Sequence, residues 1–114
     1  MFSWFKSLFE SIAKKYYQGL VKEIAGVRVE ITKAIVEYQL LLKKGEFTSE
    51  DLDEIYKPRT EYLANRLALL LQCYYGQNNS DVILSRAEFI LNEAIKEAED
   101  TLGYELPEED KKFK

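Results

Sequence analysis

Glu93 and Glu97 stand one helical turn apart, as the carboxylates of a di-iron or di-manganese helical bundle do. Such a centre also needs Glu-x-x-His pairs, and this chain contains no histidine at all. The two acids therefore read as part of a solvated helix face. The missing histidine also removes the commonest general base, the commonest metal ligand and the usual pH switch near neutrality. Cys73, in LLLQCYYG, is the one cysteine and has no activating base in sequence reach. An apolar helix end is the opposite of the electropositive setting that makes a thiol reactive, so Cys73 is expected to be buried filler. Serines and threonines lack a base for the same reason, and neither a phosphate-cradling glycine loop nor a GxSxG elbow is present. No catalytic, cofactor-binding or metal-ligating residue is assigned, no small-molecule substrate is expected, and the chain reads as a nonenzyme.

Charge offers a different kind of chemistry. Lys15, Lys22, Lys33 and Lys44 are spaced by seven and eleven residues, which aligns them along one line of a helix. Such a row can follow a phosphate backbone or an acidic partner, although Glu30 and Glu37 lie close to the same line. Residues 1–45 hold eight Lys or Arg against four Glu, and the remainder is acidic, bringing the whole chain to −4. A basic first segment beside an acidic remainder permits internal pairing, head-to-tail association or attraction to an anionic surface.

These residues sit on helices. Phe5, Phe9, Ile12, Tyr16, Leu20, Ile24, Val27, Ile31, Ile35, Tyr38 and Leu42 recur at steps of three and four, the stripe that buries one face of an α-helix. The spacing predicts a helix from about residue 2 to residue 44, with Gly19 and Gly26 as the points where it would kink or break. Within it GVRVEIT alternates as a strand would, but the helical stripe runs through it on both sides. Lys43, Lys44 and Gly45 suit a helix end, and Thr48 with Asp51 offers a capping box for the next helix. Pro58 predicts either a short helix over 49–57 followed by a longer one, or one kinked helix. Tyr62, Leu63, Leu67, Leu69, Leu70, Leu71 and Tyr74 make this element apolar over much of its circumference, as for a helix at a bundle centre. After GQNNSD, a third helix carries Ile83, Leu84, Ala87, Ile90, Leu91, Ala94, Ile95, Ala98 and Leu102 on one face and ends at Gly103.

The fold expected is all-α, an antiparallel bundle of three to four helices with a long first helix. Residues 1–103 form the single domain, and 104–114 a mobile charged tail. One cysteine and no possible intrachain disulfide suit a reducing, cytoplasmic location. Abundant Lys, Glu, Ile and Tyr resemble the usage of small proteins from thermophilic archaea and their viruses.

Apolar residues off the main stripe carry the strongest interaction signal. Trp4, Val29, Val36 and Leu40 fall opposite the stripe of the first helix, Leu8 points away from it, and Val82 and Phe89 leave the clean face of the third. Phe2, Trp4, Leu8, Val29, Val36, Leu40 and Phe89 are the expected partner-binding residues of a noncatalytic interaction protein, with a second copy as the first candidate partner. Phe2, Trp4, Phe5 and Phe9 alternatively suit an anchor lying on a membrane surface or a virion. The lysine row would instead serve a nucleic-acid-associated factor. Lys6, Glu10, Lys14 and Lys15 interrupt the opening segment, so it is not expected to act as an export signal, and no run approaches the roughly 18 apolar residues of a membrane span.

Overall fold

The computed structural model describes residues 2–76 and 78–107, and for residues 2–10 and 12–14 the helical backbone alone. The described residues form three helices: α1 (Phe2–Lys44), α2 (Ser49–Tyr75) and α3 (Ser80–Leu102). Among the described residues there is no strand, and GVRVEIT lies inside α1. Helix α1 passes through Gly19 and Gly26 without a break. A Cβ on either glycine would meet no atom within 4 Å, so within this chain neither serves the close approach of a second backbone.

The helix ends follow local chemistry. Gly45 and Gly103 take positive φ of 77° and 82°, conformations that a side chain resists, and each donates its N–H back to the helix it ends. Thr48 caps α2 reciprocally: its hydroxyl accepts from the Asp51 N–H at 3.1 Å, and the Asp51 carboxylate accepts from the Thr48 N–H at 3.4 Å. Pro58 does not divide α2, which is continuous from Ser49 to Tyr75. Both Pro58 and Glu54, whose carbonyl loses its helical partner to the proline, are exposed to water that can replace the bond. At α3 the N-cap is Asn79, which makes no side-chain cap.

Helix α2 runs antiparallel to α1, with Tyr38 beside Tyr56 at one end and Tyr17 beside Tyr74 at the other. The return through α3 is antiparallel to α2 and so parallel to α1. Between them lies one core of Leu20, Val27 and Ile31 from α1, Leu63, Leu67, Leu70 and Leu71 from α2, and Ile83, Ile90 and Ala94 from α3. Ala94 and Ala98 are fully buried, and their small size lets α3 approach α1 until the Thr32 hydroxyl reaches the Ala94 carbonyl at 3.3 Å. That hydroxyl also lies 3.1 Å from the Arg28 carbonyl one turn back, which satisfies the buried oxygen.

Several expected core residues lie outside this core. Tyr16 is 54% exposed, because α2, which would cover it, ends beside Tyr17. Tyr62 and Leu69 are each 61% exposed: in a bundle of three, no helix is surrounded, so α2 covers one face only. Leu84, toward the edge of the α3 stripe and near the end of the bundle, is 63% exposed. Cys73 is exposed rather than buried, since the buried arc of α2 at that end is taken by Leu70 and Leu71. The expectations for Phe5, Phe9 and Ile12 lie outside the described side chains. Of the tail, residues 104–106 fold back onto the bundle. Leu106 is buried, its N–H donates to Glu99 at 2.8 Å, and the Lys43 ammonium lies 5.0 Å from the Tyr104 ring centre.

Two outcomes check this packing. Leu71→Ala, at a site 1% exposed, is expected to cost about 2–5 kcal/mol in urea unfolding, whereas Leu69→Ala should stay within about 0.5 kcal/mol. Gly26→Ala, with free space for its methyl, should raise stability by about 1 kcal/mol in the same assay.

Candidate functional site

The α1 and α3 helices diverge enough at the Tyr17 end of the bundle to leave a groove of about 400 Å³. Its α1 wall is Val21, Ala25 and Arg28, and its α3 wall Arg86, Phe89 and Glu93. Ile24, Leu71 and Ile90 form the floor, which is the upper layer of the core. Val21 is 51% exposed and Phe89 50% exposed, so the groove presents apolar walls to solvent above an apolar floor. Polar chemistry is confined to the rim. The Arg86 guanidinium lies over the Phe89 ring at 4.7 Å, and Arg28 is held by an ion pair to Glu97. The end of the groove is closed by edge-to-face tyrosines, Tyr17 against Tyr74 at 5.4 Å and Tyr74 against Tyr75 at 4.8 Å. Behind them the Cys73 sulfur, followed by burial, pushes the Tyr16 phenol above its ordinary value.

A groove with apolar walls, aromatic rings and two guanidiniums and one carboxylate at the rim suits an amphipathic segment. Among the described residues no group of three or more His, Cys, Asp or Glu is placed to hold a metal ion. No helix among them is long and apolar enough to cross a membrane.

A second hollow, of about 550 Å³, lies at the opposite end between Leu40 and Leu41 of α1 and Tyr56 of α2. Beside it runs a ladder of charges that closes the seam between α1 and α2. Arg66 reaches Glu23 at 2.8 Å, and Arg59 reaches Glu37 at 2.7 Å and Glu30 at 3.6 Å. Tyr56 donates its hydroxyl to Glu37 at 3.2 Å, and Tyr38 donates to Asp53 at 2.7 Å. The Arg59 hydrogen bond holds the Glu37 carboxyl below its ordinary value against the opposing effect of burial. Burial and the nearby Glu37 charge push the Tyr56 phenol up.

Comparison with protein-family models, with curated proteins and with solved structures gives no match to this chain.

The expected partner-binding residues separate into two places. Phe89 lines the groove. Val29 is exposed and Val36 half-buried on the face of α1 turned away from α2 and α3, while Leu40, also exposed, borders the second hollow beside Tyr56. At 3.6 residues per turn, Lys15, Lys22, Lys33 and Lys44 share the same quarter or so of the circumference. Lysine row and apolar strip are thus one interleaved face. Lys33 is tied to Glu30 at 3.5 Å, and the other three lysines are exposed. Phe2, Trp4 and Leu8 lie outside the described side chains. Glu97, the second of the one-turn acid pair, is engaged by Arg28, and Glu93 stands on the groove rim.

The reading of single stripes missed the α1 wall of the groove, Val21 and Ala25, and the ladder. Both had a signal. Glu23, Glu30 and Glu37 repeat every seven residues, and Arg59 and Arg66 are likewise seven apart, which is the spacing of an interhelical charge seam. Val21 is an off-stripe apolar residue like Val29.

Because the Glu37 carboxyl is held below its ordinary value of 4.5, the ionised form is favoured by folding. Its contribution is present above the unfolded value and is lost as pH falls through the folded one. Glu37→Gln should therefore lower the melting temperature slightly at neutral pH, by an amount worth less than about 1 kcal/mol for so exposed a pair. The difference from wild type should shrink on acidification from the ordinary value of 4.5 and disappear once pH falls below the lowered value of the folded state. A difference that persists at acid pH would rule out this assignment.

Proposed function

We propose that this chain is a noncatalytic helical interaction protein that acts by protein association, with a second copy of itself as partner. The observation that carries the reading is the groove. Val21 and Phe89, each about half exposed, face solvent over an apolar floor, a surface whose burial is favourable in proportion to its area. The isolated Cys73, exposed and without a disulfide partner in the chain, fits a reducing intracellular setting. Contact with nucleic acid is less well supported, since Glu30 and Glu37 dilute the lysine row and Lys33 already has a carboxylate neighbour.

Light scattering on the size-excluded protein tests the proposal. At high micromolar concentration the expected mass is twice the 13.3 kDa of one chain. The dimer should persist in high salt, because apolar burial is not screened as surface charge is. A strict monomer under these conditions would overturn the reading.

A further inference from the structure

The rim charges of the groove indicate what covers it. On α3, Arg86, Phe89 and Glu93 fall within about 60° of the helix circumference, and on α1 Val21, Ala25 and Arg28 do the same, so each wall presents one face. The walls run from Val21 to Arg28 and from Arg86 to Glu93, with Ala25 and Phe89 beside their midpoints. Arg86 and Glu93 are exposed, opposite in charge, and equally far from the point between Phe89 and Ile90. Among the described residues neither has an ion-pair partner: Arg86 rests on the Phe89 ring, and Arg28 on the opposite wall is held by Glu97. Read from its other end, the wall of α3 shows the same pattern with the signs exchanged, which is what a two-fold contact requires.

Resting on the self-association proposed above, we infer that a second copy sits groove against groove, its α3 antiparallel to this one, about a two-fold axis that passes α3 between Phe89 and Ile90. Arg86 then stands opposite Glu93 of the second copy, and Glu93 opposite its Arg86. The two Phe89 rings meet at the axis, the place in an interface where a buried aromatic side chain contributes most. Because α1 and α3 are parallel, the same axis passes α1 beside Ala25, whose small side chain leaves room for the other α1. Val21 comes level with Arg28 of the second copy, whose methylene stem can cover it while its charge stays with Glu97. An axis running along the helices would instead set Arg86 level with Arg86 and Glu93 level with Glu93, and like charges at a rim repel. Two turns of wall on each helix make a small contact, in the weak class below about 1,200 Å² in total. Association is therefore expected at micromolar rather than nanomolar concentration.

Charge reversal tests the pairing, since both residues are exposed and their replacement leaves the core intact. Melting at dilute, monomeric concentration checks that each variant folds as wild type does. In sedimentation equilibrium, Arg86→Glu and Glu93→Arg should each weaken dimerisation about tenfold. Combining the two in one chain should restore it, and so should mixing the two single variants, because opposite charges then meet again. A wild-type dimer whose single variants associate equally tightly overturns this inference and leaves self-association standing, as does a double variant no tighter than the singles. A strict monomer overturns both. Crosslinking gives a second measurement. In a Cys73→Ser background, Arg86→Cys and Glu93→Cys in one chain lie about 10 Å apart along α3, too far for a bond within it. Oxidation should give a covalent dimer on a nonreducing gel, whereas either cysteine alone should leave monomer. Crosslinking of Arg86→Cys alone indicates parallel pairing and overturns the inference.

Discussion

Everything in this fold depends on how two short helices cover one long one. Along the apolar stripe of α1, Leu20, Val27 and Ile31 are buried, and Ile24 and Ile35 partly so. Helix α2 covers it on one side and α3 on the other, so the core among the described residues follows the lengths of those two helices. The same constraint explains why the tyrosines collect at residues 16, 17, 74 and 75. At the place where cover ends, a ring can keep its body against apolar neighbours and its hydroxyl in water.

The two seams of α1 are closed differently. Toward α2 the contact is lined by long side chains, Glu23, Glu30 and Glu37 meeting Arg59 and Arg66, which hold the helices in register while standing partly in solvent. Toward α3 the residues are small, Ala94 and Ala98, and the helices approach closely enough for a threonine hydroxyl to bridge to a backbone carbonyl. Where that close approach ends, beyond Ile90, Phe89 and Arg86 replace alanine and the groove opens.

The helices and their ends were legible in the sequence because they are written locally. Thr48 with Asp51, Gly45 and Gly103 each act within one turn, and the stripe of α1 has a single period from end to end. What the sequence did not disclose is where an apolar face meets a neighbour. Tyr16, Leu84 and Leu69 belong to apolar faces yet stand exposed, since exposure is decided by the length and number of the other helices. Cys73 was misplaced for the same reason. Half of the groove was legible: Phe89 stood out as off-stripe, while Val21 gains its meaning only beside Phe89, sixty-eight positions away. The interleaving of lysines with Val29 and Leu40 on one face follows from helical arithmetic, but that this face is left uncovered does not.

The connections at residues 45–48 and 76–79 are four residues each, and every helix packs against its neighbour in sequence. Such a chain makes its contacts at short sequence separation, apart from those between α1 and α3, and bundles of this kind fold in microseconds to milliseconds. Meeting a second molecule at micromolar concentration is slower than that for ordinary association rates of roughly 10⁵–10⁷ per molar per second. The three-helix core is therefore complete on a timescale shorter than a micromolar encounter, and a partner of the kind proposed would meet a formed surface whose shape is fixed by the lengths of these helices.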